Sequence, residues 1–466
     1  MRDGGRLAAA IQVLEDVETR HRPARMALKG WGESARYAGS KDRAFVSGLV
    51  LDVLRKRRSL GWMMGEDSAR AAALAAVRFG WGWPVERVAE AAGDSEHGIG
   101  GLTEAELRAL AEPNGTAAPA PVAGDYPDWL EPHITRVFGA SRAAEMAALA
   151  ERAPVDLRAN SLKTDPDRAA KALHPLHAVP AGMLPNAFRI PAPAATDRAG
   201  SVETIPAFGK GWFEVQDLGS QIAAACAGEI KGKQVLDFCA GGGGKTLALA
   251  AAMGNTGQLY AHDSDARRMA DIIPRATRAG VRNLQIRSPV ESEPLKGMEG
   301  KMDVVFVDAP CTGAGTWRRH PDSKWRLSPE QLERRMAEQD QVLDQACVYV
   351  KPGGRLVYVT CSIFAEENED RIAAFLARAP AFKIVAPPPQ GEVSPGAKPP
   401  ATEGVRAGSA DFPPSSPVAE APGDTSPRAR GEEPLARFLT PESFLRLTPL
   451  TAATDGFFVA LLERTA

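Results

Sequence analysis

The sequence predicts an α/β protein whose second half is a doubly wound, Rossmann-like parallel sheet. From Trp212 onward, short apolar runs alternate with helical stretches, which is the order of strands and helices in such sheets. A glycine-rich turn, CAGGGGKT, follows the first of these runs at residues 239–246. Doubly wound sheets bind ligands beyond the carboxyl ends of their strands, so this turn marks the expected ligand edge.

Composition and periodicity divide the chain into further segments. Residues 1–111 repeat apolar side chains at helical spacing and predict an all-α domain. Residues 112–127 are rich in Pro, Ala and Gly and predict a linker. Residues 128–207 start with a helical unit and continue as a small α+β subdomain, and residues 208–466 form the sheet domain. Within it, residues 387–434 are rich in Pro, Gly, Ser and Ala and predict a disordered insertion.

Composition also restricts the class of protein. Hydrophobic residues make up 44% of the chain and charged residues 24%, which is typical of a soluble globular protein. The five cysteines are odd in number and lack metal-ligand spacing, which argues against a disulfide framework and a zinc site. No apolar run is long enough to cross a membrane, and the first residues are too polar for a signal peptide. We therefore expect a cytoplasmic monomer without metal, and any nucleic-acid binding must use local basic patches because the net charge is −2.

The glycine-rich turn has two functional interpretations. The phosphate-binding loop of nucleoside triphosphatases, G-x-x-x-x-G-K-[ST], would need glycine at position 239, where the sequence has Cys239. A nucleoside-cofactor loop instead needs glycines for close backbone approach and an acid at the end of the next strand for the ribose hydroxyls. Asp263, which closes the run GQLYAHD, fits that role. The pattern favours the nucleoside cofactor, and a glycine turn without any ligand is the remaining alternative.

Cys311 and Cys361 each follow a predicted strand, and the two strands are consecutive in the alternating pattern. Because consecutive strands tend to be neighbours, we expect both thiols to face one crevice with the glycine turn. Two thiols beside a nucleoside cofactor suit methylation of pyrimidine carbon 5, which becomes nucleophilic when a thiolate adds to carbon 6. The second thiol can assist the release that follows. The alternative is two unrelated cysteines; Cys226 and Cys347, within apolar helical stretches, are interpreted as core residues.

At these residues the sequence resembles the Nop/Sun family of RNA cytosine-C5 methyltransferases, in its bacterial Sun/Fmu-like ribosomal RNA branch. DFCA (237–240) and GGKT (243–246) look like the family's cofactor loop. DAPCTG (308–313) and TCS (360–362) look like its two cysteine motifs. The N-terminal helices look like the antitermination-factor-like RNA-binding domain of the bacterial branch. One departure is Gly242, where the family usually has proline.

The resemblance implies a role for each motif. Cys361 would attack carbon 6, Cys311 would assist proton removal and enzyme release, and Asp308 would touch the base, the cofactor or both. The cofactor implied is S-adenosylmethionine. The residues implied to hold it are Cys239, Ala240, Gly241, Gly242, Gly243, Gly244, Lys245, Asp263 and Asp308.

The partner implied is RNA, with small-subunit (16S) ribosomal RNA as the expected substrate. A transfer RNA substrate, or a non-catalytic RNA-binding assembly factor, are the alternatives. Cations and two tryptophans cluster after Cys311, where they would suit phosphates and bases near a flipped nucleotide. The residues expected to bind RNA are Arg158, Asn160, Arg318, Arg319 and Lys324, with Trp317 and Trp325 as stacking platforms.

Overall fold

The computed structural model describes residues 1–94, 96–193, 201–387 and 435–465. Apart from Pro387, the predicted insertion 387–434 lies outside the described residues. No described helix combines the length and the apolar character needed to cross a membrane.

The first 111 residues fold as an all-α domain. Its apolar stripes meet in one core, in which Leu7, Leu14, Leu49 and Val53 are fully or almost fully buried. Helix starts follow local chemistry; for example, Thr103 and Glu106 form a reciprocal capping box. The helices are α1 (Asp3–Arg20), α2 (Ala24–Ser34), α3 (Ser40–Arg55), α4 (Arg57–Met64), α5 (Ala69–Ala75, continued by a π-helical turn), α6 (Val85–Ala92) and α7 (Glu104–Ala111).

The predicted linker is more ordered than its composition indicates. It contains the short helix α8 (Ala120–Ala123), and the Tyr126 ring is fully buried. Helices α9 (Glu131–Phe138) and α10 (Arg142–Leu149) follow, and Tyr126 packs in the same cluster as their apolar residues. Tertiary packing has therefore overridden the linker-like composition.

The small α+β subdomain is an antiparallel sheet with strand order β2-β3-β1-β4. Its strand β4 extends to Val215, so the boundary predicted at residue 207 is too early. A strand of three residues is too short to show a period-2 pattern in the sequence. The elements are β1 (Val155–Ala159), α11 (Pro166–Leu173), β2 (Val179–Pro180), β3 (Ala187–Ile190), α12 (Pro206–Gly209) and β4 (Phe213–Val215).

The described residues after β4 form the predicted doubly wound sheet and its helices. The described strands have the order β10-β12-β9-β8-β5-β6-β7, with β11 paired to β12. The four pairings that join β9, β8, β5, β6 and β7 in that order are parallel, and β12 runs antiparallel to its neighbours. The strands are β5 (Gln234–Asp237), β6 (Gln258–His262), β7 (Leu284–Arg287), β8 (Met302–Asp308), β9 (Val350–Thr360), β10 (Phe382–Val385), β11 (Leu445–Leu447) and β12 (Phe457–Arg464).

Helices cover both faces of this sheet. Phe306 packs on one face with Ile222 and Leu249, and its neighbour Val305 packs on the other with Leu343. This alternation is what a strand buried on both faces requires. The helices are α13 (Leu218–Ala225), α14 (Gly244–Met253), α15 (Ile272–Ala279), α16 (Pro321–Arg326), α17 (Pro329–Ala346), α18 (Glu369–Arg378) and α19 (Pro449–Ala452).

The topology places the candidate residues at one edge. Strand β8 lies between β5 and β9, and all three run in the same direction. Their carboxyl ends are Asp237, Asp308 and Thr360. The glycine turn and both cysteine loops therefore start side by side.

Candidate active site

Cys311 and Cys361 meet at the carboxyl ends of β8 and β9. Their Sγ atoms are 3.5 Å apart, within hydrogen-bonding distance for two sulfurs. A backbone hydrogen bond joins the two cysteine loops, since the Gly315 amide donates to the Cys361 carbonyl at 2.9 Å. Gly315 also lies against the Gly456 backbone, where a Cβ would come within 2.2 Å of a carbonyl oxygen. The structure thus brings together the two thiols that the strand order predicts to be neighbours.

The environment of Cys311 favours its neutral form. Its hydrogen bond with Cys361, together with burial, holds the pKa of the Cys311 thiol well above its usual range. A neutral Cys311 can donate its proton to the Cys361 sulfur. The pair is therefore suited to hold one negative charge, with Cys311 as the donor.

The other cysteines are chemically distinct from this pair. Cys226 is fully buried, and burial raises the pKa of its thiol to about 12, as expected for a core residue. Cys347 is only half-buried and lies at the edge of the core, so its interpretation as a core residue holds only in part. Cys239 begins the glycine turn, and burial next to Asp263 holds the pKa of its thiol well above the usual value.

A lysine connects the glycine turn to the cysteine loops. Lys245 Nζ donates to Asp308 Oδ2 at 2.7 Å, and the Lys245 side chain is 11% exposed. Burial alone would lower its pKa, but Asp308 and the nearby Cys361 outweigh burial and hold the pKa of Lys245 above its usual value. A permanent cation therefore lies beside the thiol pair.

The glycine turn has the geometry of a ligand-binding loop. Gly241 and Gly243 adopt φ of +50° and +84°, which side chains other than glycine rarely tolerate. Helix α14 starts at Gly244, where a Cβ would meet nothing within 4 Å. The open space at this helix start leaves room for a ligand to approach the backbone. Gly242 accepts a hydrogen bond from Arg275 through its carbonyl.

Carboxylates surround this turn. Asp263 accepts the Gly241 amide at 3.0 Å and is almost fully buried at the end of β6. Asp237, at the end of β5, accepts the Thr246 hydroxyl at 2.7 Å through Oδ2. Its Oδ1 has no hydrogen-bond partner among the residues that the structure describes. Burial raises the pKa of Asp237 to about 7.

These residues fit S-adenosylmethionine. An unpartnered buried carboxylate oxygen and a second acid on the next strand suit a ligand with hydrogen-bond donors and a positive charge. Asp237 belongs to the motif DFCA that resembles the family's cofactor loop, but it was not among the residues predicted to hold the cofactor. Glu367, which binds both cysteine loops, and Asn368, which binds the Cys361 loop, had no sequence signal.

Two of the predicted RNA-binding arginines form an internal ion-pair cluster instead. Arg318 is 4% exposed, and its Nε donates to Asp455. Arg319 donates to Asp455 at 2.6 Å and to Asp217 at 2.9 Å. The buried Arg318 is therefore not presented to phosphates, so its predicted contact with RNA is wrong, whereas the Arg319 side chain is 27% exposed and its contact with RNA stays a prediction.

The rest of that segment contacts the N-terminal domain. Lys324 is 2% exposed and donates to the Arg55 carbonyl at 3.1 Å, and Trp325 donates to the Leu54 carbonyl at 2.7 Å. Trp317 is 1% exposed. The expectation that Lys324 and Trp317 bind RNA is therefore not met, because both are buried. Trp325 is partly buried, and its stacking on a base stays a prediction.

Arg158 and Asn160 join the small subdomain to the sheet domain. Asn160 Nδ2 donates to the carbonyls of Gly211 and Ala279 at 2.9 and 2.8 Å. Arg158 Nε donates to Gln216 at 2.7 Å, and burial lowers the pKa of Arg158 to about 10. Both are buried, so their predicted direct contact with RNA is also not supported by their placement.

Comparisons with known proteins identify the family. A profile described as 16S rRNA methyltransferase RsmB/F matches residues 228–463, half of the chain. A probable ribosomal RNA small subunit methyltransferase B from Synechocystis sp. is 32% identical over 255 residues, which are 54% of this chain and 56% of the relative. The chain thus spans about half the length of the curated relatives it matches.

Solved structures share the fold. A methyltransferase homolog protein from Pyrococcus horikoshii superposes with a TM-score of 0.54 at 23% identity, covering 74% of this chain and 97% of the other. NSun6 from Pyrococcus horikoshii with SFG gives a TM-score of 0.55 at 19% identity, covering 73% and 98%. At this identity the likeness concerns the Rossmann-like methyltransferase fold alone. Together with the profile match, these findings place the chain in the 16S rRNA methyltransferase RsmB/F family, a branch of the S-adenosylmethionine-dependent Nop/Sun methyltransferases.

Proposed function

We propose that this protein transfers a methyl group from S-adenosylmethionine to carbon 5 of a cytosine in small-subunit ribosomal RNA. The observation that carries the proposal is the thiol pair, with its Sγ atoms 3.5 Å apart beside the Lys245–Asp308 ion pair. The relatives' names support ribosomal RNA as the substrate, and we place the activity in the cytoplasm.

In this proposal the glycine turn holds the cofactor. The turn from Cys239 to Gly244 supplies backbone contact, and Asp263 binds the ribose hydroxyls at the end of β6. Asp237 offers its unpartnered Oδ1. The cofactor supplies an electrophilic methyl group on a sulfonium.

Cys361 is the proposed nucleophile. Its thiolate forms a bond to carbon 6 of the cytosine, and the displaced π electrons make carbon 5 nucleophilic. Carbon 5 would then accept the methyl group of a cofactor held by the turn from Cys239 to Gly244, and the cofactor would become a neutral thioether. Removal of the carbon-5 proton then restores the double bond between carbons 5 and 6 and expels Cys361 as a thiolate. The carbon-5 proton passes to a water molecule in the crevice, and Cys311, 3.5 Å from Cys361, assists release by donating its thiol hydrogen bond to the departing Cys361 sulfur.

Asp308 supports cytosine as the base. A carboxylate accepts hydrogen bonds and suits the exocyclic amino group of cytosine, whereas the corresponding carbonyl of uracil would repel it. Lys245 fixes Asp308 by the 2.7 Å contact and keeps a positive charge beside the developing adduct. Both groups belong to the edge where the thiols lie.

The proposal is tested with purified protein and labelled S-adenosylmethionine. We expect methyl transfer to small-subunit ribosomal RNA, with 5-methylcytosine as the product after nucleoside digestion and mass spectrometry. Cys361→Ala should abolish transfer, whereas Cys347→Ala, which alters a half-buried thiol outside the crevice, should retain it. Methyl transfer to tRNA but not to ribosomal RNA would show that the proposed substrate is wrong and that tRNA is methylated instead. Methylation unaffected by the loss of Cys361 would refute the mechanism.

A further inference from the structure

Glu367 is a buried carboxylate for which the proposed chemistry has no role. It lies six residues after Cys361, just before α18, and is 0% exposed. Burying a carboxylate is costly unless its oxygens are fully hydrogen-bonded. Here they are: the Thr312 amide and hydroxyl donate at 2.8 and 2.5 Å, Gln339 Nε2 donates at 2.9 Å, and the Ser362 hydroxyl donates to the same oxygen as the Thr312 hydroxyl.

Two of these donors connect the carboxylate to the thiols. Thr312 directly follows Cys311, and Ser362 directly follows Cys361. One side chain therefore bridges the two loops that carry the reactive sulfurs. This side-chain bridge adds to the backbone contact between Gly315 and Cys361, and it is needed because both loops have already left the parallel strands β8 and β9.

The two loops do not depend on Glu367 equally. The Cys361 loop has a second support in Asn368, which accepts the Thr360 hydroxyl at 2.6 Å and donates to the Ser362 carbonyl at 3.1 Å. Those residues flank Cys361 on both sides. The Cys361 loop would thus remain held without Glu367.

On the two residues that flank Cys311, the side-chain support comes from Glu367 and its partner Gln339, whereas the backbone contact of this loop with the Cys361 loop lies farther along, at Gly315. Gln339 Nε2 donates both to Glu367 and to the Pro310 carbonyl, each at 2.9 Å. Pro310 and Thr312 flank Cys311 in the sequence. Loss of the carboxylate removes both contacts to Thr312 and one partner of Gln339.

We propose that Glu367 is a positioning residue that holds Cys311 beside Cys361, and that it is needed chiefly for release of the RNA adduct rather than for its formation. This inference rests on the proposed function, since it assigns the second thiol to the release step. The negative charge of Glu367 also helps to keep Cys311 protonated. Glu367 touches neither RNA nor cofactor in this account.

The test compares Glu367→Ala with the wild-type protein in two measurements. Labelled RNA and S-adenosylmethionine are mixed with the protein, and protein-linked RNA is measured on denaturing gels; a chase with excess unlabelled RNA then gives the adduct lifetime. We expect adduct to form within about threefold of the wild-type rate, because Asn368 still supports Cys361. We expect the lifetime to increase by about tenfold or more, the effect of losing hydrogen bonds to a charged group.

Three further variants make the result specific. Glu366→Ala removes the neighbouring carboxylate, which binds His133 at 2.9 Å and not the cysteine loops, and should behave as wild type. The adduct lifetime of Glu367→Gln should lie nearer to the wild-type value than that of Glu367→Ala, because the Thr312 and Ser362 hydroxyls can turn to accept from the amide. Thr312→Val keeps the side-chain shape and removes one donor, so it should lengthen the lifetime to a smaller extent. If Glu367→Ala does not fold, the adduct lifetime of Thr312→Val alone tests whether this hydrogen bond positions Cys311.

The outcomes separate this inference from the proposed function. If Glu367→Ala lowers formation and turnover in equal proportion without a longer adduct lifetime, Glu367 has only a general structural role and the inference is wrong. A Thr312→Val lifetime equal to wild type would overturn it as well. If wild-type protein neither methylates RNA nor forms adduct at Cys361, the proposed function itself fails.

Discussion

Asp237→Asn should stabilise the cofactor-free protein at alkaline pH, with a benefit that shrinks as the pH falls. Asp237 is 0% exposed, and only one of its two oxygens has a partner among the described residues. The folded protein therefore favours the protonated carboxyl group. Asparagine has nearly the same shape, can accept the Thr246 hydroxyl and carries no charge to desolvate.

The magnitude follows from the two pKa values. Burial raises the pKa of Asp237 to about 7 in the folded protein, whereas the unfolded chain has about 3.9. Between these values the folded state binds more protons than the unfolded state, so the free energy of unfolding decreases as the pH rises and is constant above the folded pKa. At about 1.4 kcal/mol for each pH unit, the advantage of Asn should grow by about 3 kcal/mol between about pH 5 and about pH 8.

The assay is urea unfolding of wild type and Asp237→Asn at about pH 5 and about pH 8. The difference between their free energies of unfolding is then compared at the two pH values. Asp271→Asn is the matched control, because Asp271 is an exposed carboxylate in the same domain. Its effect should be small and independent of pH. An advantage of Asp237→Asn that stays constant or decreases with rising pH would refute the assignment of Asp237 as a desolvated carboxyl group.

Two further variants test the corrected roles of the segment after Cys311. Asp455→Asn should lower the free energy of unfolding, measured in urea, by about 3–5 kcal/mol, because it removes the carboxylate that pairs with the buried Arg318 and with Arg319. A change below about 1 kcal/mol would show that this ion-pair cluster does not stabilise the fold. Lys324→Met should be neutral or stabilising near pH 7, since burial lowers the pKa of Lys324 to about 8 and charging it costs stability below that pH. The same variant should leave RNA affinity in a filter-binding assay unchanged, and a tenfold loss would restore Lys324 as an RNA ligand.

The sheet and the thiol pair were predictable because they depend on short-range signals combined with a general rule. Strand β8 ends three residues before Cys311, β9 ends directly before Cys361, and parallel strands end at the same edge. The order of motifs along the chain therefore determines which loops meet. The glycine turn at Gly241 and Gly243 was predictable for a similar reason, since the need for positive φ is local.

The basic segment was misjudged because charge alone does not report burial. Arg318 and Lys324 have the composition of an RNA-binding surface, yet their partners come from distant parts of the chain, Asp455 and the carbonyl of Arg55. Glu367 was missed for the same reason. Its donors Thr312 and Gln339 are 55 and 28 residues away in sequence, and only the folded chain brings them to one carboxylate.

The most direct measurement concerns which sulfur is joined to RNA. Cys311→Ala protein is incubated with small-subunit ribosomal RNA and S-adenosylmethionine, the accumulated adduct is digested, and the linked peptide is identified by mass spectrometry. We expect the RNA to be attached to Cys361, and we expect Cys361→Ala to give no adduct under the same conditions. Attachment at another residue, or adduct formation that persists without Cys361, would contradict it.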